Sequence, residues 1–245
     1  MKSRKNNFTL IELLVVIGII AILASMLLPA LNKARELAKM TSCLNNLKNI
    51  SIGSISYSED NNGMLPYAFI RPTAIEGLTW SGLICPYVGI KPRKTSGYFW
   101  EPAKFMVFAC PSDTTPCADW VQTNLHWAKM SYCANLEVID ATEDSNSDGF
   151  PGGRKMVSIF KPSKTILQAE NQTNNCTVGY GPYNAKCYNT GFTYEYTKVN
   201  GTLANDPGKF GYHSRQNNWS FADGHVESMK WSDTISPFNY WKFKK

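Results

Sequence analysis

Four ionisable residues near the C-terminus, His213, Asp223, His225 and Glu227, are of the types that bind metal ions or act as general bases. Asp223 and Gly224 also form a dipeptide that is typical of a two-residue β-hairpin turn. In such a hairpin His225 and Glu227 lie on the same face, because side chains alternate along a strand. We therefore predict a structural hairpin here, with a metal or ligand site, or a catalytic role, as the alternatives.

A second group of oxygen-bearing side chains, Asp144, Asn146 and Asp148, is followed by Gly149 and resembles the first half of a calcium-binding loop. The twelfth position of that loop is Lys155, where a bidentate glutamate is required. We expect an ordinary solvated turn, with calcium binding as the alternative, and no cofactor that the protein requires.

The sequence gives no support for an enzyme. It has no G-x-x-x-x-G-K or G-x-G-x-x-G phosphate-binding segment, and no serine or cysteine in a nucleophile-elbow context. We predict that the protein is not an enzyme.

Seven cysteines are typical of an oxidising compartment. The odd number leaves one cysteine free or in an intermolecular bond, and the pairing cannot be deduced from sequence. Cys176 and Cys187 are candidates for one disulfide because their bond would close a short loop. A zinc site built from cysteines is not expected, since close pairs such as C-x2-C are absent.

The N-terminal segment has the composition of a membrane span. From Phe8 onwards the chain is apolar for just over twenty residues, enough to cross the hydrocarbon core of about 30 Å as a helix. Glu12 is the one charged residue in this stretch, and a carboxylate there costs about 2.5–3.5 kcal/mol, so it indicates a function and a partner. Lys2, Arg4 and Lys5 predict a cytoplasmic N-terminus and an exported remainder.

The residues after the span continue the helical pattern. Apolar residues at Leu31, Leu37, Leu44, Leu47 and Ile50 are spaced to form one stripe. We predict a single helix from about 8 to near 57, bent at the proline at position 29, whose second half packs on a globular domain. A cleaved secretory signal and a plain anchor are the alternatives for the N-terminus.

Phe8-Thr9-Leu10-Ile11-Glu12, behind a short basic leader, resembles the processing site of type IV prepilins and type II secretion pseudopilins. The resemblance implies that prepilin peptidase cuts between Asn7 and Phe8 and methylates the new amine. It also implies that Glu12 assists assembly by pairing with the amine of a neighbouring subunit. Asn7 stands where the family nearly always has glycine.

Three further islands are similar to signatures of a pilin-like group of planctomycete and lentisphaeral bacteria. They are Cys43-Leu-Asn-Asn-Leu47-Lys48 with the turn after Tyr57, Phe108-Ala-Cys110-Pro-Ser-Asp113, and His213 followed after nine residues by Asp223-Gly224-His225. Because Cys43 and Cys110 both lie in these islands, the resemblance implies a disulfide between them.

The rest of the chain predicts an α+β, pilin-like architecture, with the long helix packed on an antiparallel sheet that has long loops. Candidate strands are at 105–108, 156–160, 165–168 and 219–222, and a short helix is possible at 120–129. The predicted organisation is a basic leader at 1–7, a transmembrane half-helix at 8–30, an exported half-helix at 31–57, and a β-rich domain at 58–245.

The net charge of +6 comes from basic residues at the two ends of the chain, so no nucleic-acid partner is expected. We predict a non-enzymatic structural subunit with a single pass through the inner membrane and a periplasmic or filament-borne domain. Its partners would be prepilin peptidase and other pilin-like subunits, in a type II secretion pseudopilus or a type IV pilus-like filament. The alternative is a membrane-anchored surface protein whose aromatic residues bind a glycan or another ligand.

Overall fold

The computed structural model describes residues 9–66, 69–70, 78–90, 107–114, 130–135, 138–139, 155–170, 186–187, 213 and 216–234. The chain divides into two compact units, residues 1–38 and 39–245.

The dominant element is helix α1, Leu10–Asp60, which continues through Pro29. It ends because Asn62 and Gly63 adopt left-handed backbone conformations, with φ of 54° and 77°. The Gly63 N–H then donates to the Ser58 carbonyl at 2.7 Å, which satisfies one of the last helical acceptors. The helix predicted to end near residue 57 therefore extends to Asp60.

Besides the later part of α1, the described residues of the second unit form a short helix and two sheets. Strands β1 (Phe69–Ile70) and β2 (Leu78–Thr79) pair with each other, and α2 (Trp80–Ile84) follows β2 directly. The main sheet has the order β5-β3-β4-β6-β7. Its strands are β3 (Tyr132–Asn135), β4 (Ile166–Glu170), β5 (Lys186–Cys187), β6 (Asn217–Phe221) and β7 (Val226–Met229). The β3–β4, β4–β6 and β6–β7 pairs are antiparallel, and β5 adds a short parallel pairing at the edge. The predicted α+β, pilin-like fold class is confirmed.

The strand predictions have mixed outcomes. The runs at 165–168 and 219–222 overlap β4 and β6. The run at 156–160 is not a strand, since Met156–Ser158 form a 3-10 helix. Val157 is 86% exposed there, so the alternating side chains do not cover a sheet face. Of the run at 105–108 the structure describes Val107 and Phe108, which are in a 3-10 turn. The predicted helix at 120–129 lies outside the described residues.

The core lies around the second part of α1, from Lys39 to Asp60. Buried residues of α1 join one hydrophobic cluster with residues of α2, β3 and β4, among them Leu47, Ile50, Trp80, Tyr132 and Leu167. A second, smaller cluster contains Cys133, Ile166, Ala169, Trp219 and Phe221. The sheet therefore buries apolar side chains in two separate clusters.

Buried hydrogen bonds join α1 to the sheet. Gln168 Nε2 donates to Ser54 Oγ at 2.7 Å, and the Ser220 hydroxyl donates to Gln168 Oε1 at 2.6 Å. The Tyr132 hydroxyl donates to the Cys43 carbonyl at 3.3 Å. A buried polar group without a partner costs free energy, so a shift of α1 along the sheet would be unfavourable. These hydrogen bonds therefore fix the position of the helix on the sheet.

Candidate functional site

Glu12 closes a capping box at the start of α1. Its Oε2 accepts hydrogen bonds from the Thr9 backbone N–H and from the Thr9 hydroxyl, both at 2.8 Å. The Glu12 N–H donates in return to Thr9 Oγ1 at 3.3 Å. This reciprocal arrangement satisfies backbone donors that the first turn of a helix leaves open, and the helix dipole favours a negative charge at this end. This role is not among the predictions above, although T-x-x-E before an apolar run is its signature.

The first part of α1 presents its apolar side chains outwards. None of the residues in its most apolar 18-residue stretch is buried. By length and composition, α1 can cross a membrane. Within the described stretch 9–38, Ala24 alone is partly buried and all the other residues are exposed.

The β6–β7 hairpin differs from the two-residue turn that the sequence predicts. The Phe221 N–H donates to the His225 carbonyl, and the Gly224 N–H donates to the Phe221 carbonyl, both at 2.9 Å. Gly224 has a φ of 87°, whereas Asp223 is not among the positive-φ residues. A two-residue turn of type I′ needs positive φ at both positions, so the connection is a three-residue loop that ends in a left-handed glycine.

This loop lies against α1. Lys48 Nζ donates to the Gly224 carbonyl at 2.6 Å. A Cβ added at Gly224 would lie 3.0 Å from Ile55 Cδ1, so a larger residue has little space here. The Asp-Gly of the C-terminal island therefore makes a turn that packs against the helix of the first island.

Asp223 and His225 have local roles. The Asp223 carboxylate accepts the His225 backbone N–H at 3.1 Å and also contacts the imidazole. That ring stacks on Phe221, with centroids 4.1 Å apart. Glu227 is exposed and pairs in register with Trp219. These contacts fit the structural hairpin.

His213 belongs to a different group. It is buried, and its Nε2 lies 3.1 Å from Glu170 Oε1 and 3.5 Å from Cys110 Sγ. Cys110 forms a disulfide with Cys43, with Cα atoms 5.1 Å apart. The structure thus brings one residue from each of the three sequence islands to the same buried point.

Glu170 is the residue of this group that sequence reasoning missed. It ends β4 and is 1% exposed. The backbone N–H and the side-chain amide of Asn218 donate to its two oxygens, both at 2.8 Å. The available signal was a charged residue at the end of a short strand that is otherwise uncharged, because carboxylates are buried only when they are paired.

The remaining predicted residues fall mainly outside the described part of the chain. Asn7, Phe8, Asp144, Asn146, Asp148 and Cys176 lie outside it. For Cys187 the structure describes the backbone, in β5 beside Asn135. Cys133 forms a disulfide. Cys85 is a buried free thiol, and burial raises its pKa to about 12.

Two family models match the chain. One, described as a prokaryotic N-terminal methylation motif, matches residues 4–28. The other, described as a protein of unknown function, DUF1559, matches residues 32–235. No curated protein and no solved structure matches. The protein therefore belongs to the DUF1559 family and carries a prepilin-type N-terminal methylation motif, a combination typical of planctomycete pilin-like proteins.

Proposed function

We propose that this protein is a structural subunit that prepilin peptidase cuts between Asn7 and Phe8 and that then assembles through α1 into a filament. The filament is a type II secretion pseudopilus or a type IV pilus-like fibre. Before assembly the subunit is held in the inner membrane, with its N-terminus in the cytoplasm and residues 58–245 on the periplasmic side.

The observation that carries this proposal is the exposed apolar surface of the first part of α1, with a single carboxylate at its start. Large aliphatic side chains such as Ile17, Ile20 and Leu27 are each more than half exposed. Burial of such surface is favourable by about 25 cal/mol per Å², so lipid before assembly and other helices afterwards are suitable surroundings.

The capping box lowers the cost of placing the Glu12 carboxylate among apolar side chains, but it leaves the negative charge without a cation. Two hydrogen bonds from Thr9 solvate the carboxylate within its own chain. They do not neutralise its charge, which remains costly in an apolar bundle. Cleavage before Phe8 creates a cationic amine at the same end of the helix, and that amine on a neighbouring subunit supplies the opposite charge.

The first test is the mass of the mature chain from native membranes. We expect a chain that begins with N-methylated Phe8, and we expect Asn7→Gly to be cleaved at least as completely. An unprocessed Met1 start in both proteins would overturn the processing step and would favour an anchored surface protein.

A second test separates helix capping from charge pairing. Glu12→Gln keeps a side-chain acceptor for Thr9 but removes the charge, whereas Thr9→Val removes the two contacts of the hydroxyl and keeps the carboxylate and the backbone N–H that donates to it. In cells with the native assembly machinery, we expect Glu12→Gln to abolish the sheared filament fraction and Thr9→Val to retain most of it. Normal filaments from Glu12→Gln would contradict the charge-pairing step.

A further inference from the structure

We infer that the reduced chain binds one zinc ion at Cys43, Cys110, Glu170 and His213, and that zinc binding and the Cys43–Cys110 disulfide exclude each other. This inference does not depend on the proposed function.

The four side chains lie close enough to converge on one zinc ion once reduction separates the two bonded sulfurs. Their ligand atoms all lie within 4.8 Å of one another. In a tetrahedral zinc site, bond lengths of about 2.3 Å to sulfur and about 2.0–2.1 Å to nitrogen or oxygen place neighbouring sulfur and nitrogen atoms about 3.6 Å apart and nitrogen and oxygen about 3.3 Å apart. The observed distances are 3.5 Å from Cys110 Sγ to His213 Nε2, and 3.1 Å from His213 Nε2 to Glu170 Oε1.

The surroundings also suit a closed structural site. All four residues are buried. Asn218 donates two hydrogen bonds to the Glu170 carboxylate, which orients it towards His213. Partners of this kind, which hold a ligand from behind, typically strengthen metal binding. Two thiolates, one imidazole and one carboxylate supply four ligands without an open position, as in structural rather than catalytic zinc sites.

The ligands come from separate parts of the sequence. Cys43 is on α1, Glu170 ends β4, and Cys110 and His213 are in connecting segments. A C-x2-C pair brings together ligands that are neighbours along the chain, so the absence of such pairs does not exclude a zinc site that the fold assembles. Here the fold brings His213 into contact with Glu170, 43 positions earlier in the chain, and with Cys110, 103 positions earlier.

The zinc-bound chain and the disulfide-bonded chain interconvert by oxidation or reduction of Cys43 and Cys110. Zinc binding to the reduced chain converts two thiols to thiolates and releases two protons. A disulfide oxidant then accepts two electrons from the two thiolates, its own sulfur–sulfur bond breaks, and it takes up two protons from water and leaves as two thiols. The bond between Cys43 and Cys110 forms and zinc is released, because sulfurs that are bonded to each other are no longer thiolates. The chain is synthesised with thiols, so the reduced state precedes the oxidised one.

The test uses the full-length protein in detergent micelles, treated with a chelator and then compared in its oxidised and phosphine-reduced forms. Cobalt(II) is the optical probe, since thiolate ligation gives a charge-transfer absorption, and bound zinc is measured directly after dialysis. We expect about one ion per reduced chain and none on the oxidised chain. A reduced chain that binds neither ion, folded or unfolded, would overturn the inference.

Variants assign the site. We expect the double variant Cys43→Ser, Cys110→Ser to lose binding, and His213→Asn and Glu170→Gln each to weaken it by at least about tenfold. Cys85→Ser and Cys133→Ser are matched controls that keep binding, because these cysteines lie outside the cluster. Undiminished cobalt absorption in the double variant would place the metal on other thiols and refute the site.

Discussion

The two parts of α1 belong to one helix but have different surroundings. In the stretch 9–38, every residue except Ala24 is exposed. In the later part, eight residues are buried: Cys43, Leu47, Ile50, Ser51, Gly53, Ser54, Tyr57 and Ser58. Local sequence makes both parts helical, but only the second has its apolar face covered by the chain's own core.

This difference indicates where each part gains its stability. The second part shares a hydrophobic cluster with Trp80, Phe108 and Tyr132, so its burial contributes to folding of the domain. The first part is stabilised when lipid or another subunit removes its side chains from water. The same substitution should therefore affect domain stability in one part and leave it almost unchanged in the other.

The largest expected effect is that of Leu47→Ala. Leu47 is fully buried, and a leucine-to-alanine change in a core costs about 3 kcal/mol or more. The matched variant is Leu31→Ala, where the leucine is 64% exposed, and we expect a change within about 0.5 kcal/mol. The measurement is urea unfolding of the full chain in detergent, followed by tryptophan fluorescence. Equal losses from the two variants would show that the two parts unfold as one unit.

Local patterns in the sequence predict the helix and the apolar span well, but the predicted packing stripe starts too early, because Leu31 and Leu37 are exposed and burial begins at Cys43. The stripe through Leu47 and Ile50 and the long apolar run each repeat over many residues, so a few irregular positions do not hide them. The run at 156–160 was misread because a short apolar segment has too few residues to separate strand from 3-10 turn. Asp223-Gly224 correctly predicted a hairpin, but its loop length depends on the backbone angle of Asp223, which the dipeptide does not determine.

The buried cluster could be predicted only in part. The resemblance of the islands implied the pairing of Cys43 with Cys110, which are 67 positions apart. Nothing in the sequence indicated that Glu170 would meet His213. Their contact depends on the register of β4 against β6, where the pairing shifts between Ile166 and Gln168. Such register shifts arise from packing and are not encoded in a short motif.

The second prediction is that alkaline pH lowers the free energy of unfolding of the domain, which contains Cys85 and Tyr132, and does not affect the first part of α1. Burial raises the pKa of the Cys85 thiol from its ordinary value of 9.0 to about 12. Burial, and then the charge of Glu170, raise the pKa of Tyr132 well above 10.0. Both groups hold their protons more tightly when folded, so their contribution is complete below pH 9 and declines as the pH rises towards the folded pKa values. At pH 10.5 we expect Cys85 alone to lower the free energy of unfolding by about 2 kcal/mol.

The control for this prediction is Cys85→Ser, whose hydroxyl can replace the thiol that donates to the Ser81 carbonyl. We expect the variant to lose less stability between pH 8 and pH 10.5 than the parent protein in the same urea titration. The helical signal of the first part of α1 should not change over this range. An identical pH dependence in the two proteins would mean that Cys85 ionises as easily folded as unfolded.

The smallest expected effect comes from two glycines of α1, one in each part. A Cβ at Gly53 would lie 2.8 Å from Val88 Cγ1 and 3.7 Å from Ile84 Cβ, so alanine overpacks the contact between α1 and the residues after α2. A Cβ at Gly18 would meet nothing within 4 Å. In a helix, alanine is also more favourable than glycine by about 1 kcal/mol. This gain offsets part of the strain at Gly53, whereas at Gly18 there is no strain to offset. We therefore expect Gly53→Ala to destabilise the domain by about 1 kcal/mol and Gly18→Ala to leave it unchanged. If Gly53→Ala is instead as stable as the parent in urea unfolding, Val88 moves aside and the fit of α1 at this point is looser than its distances indicate.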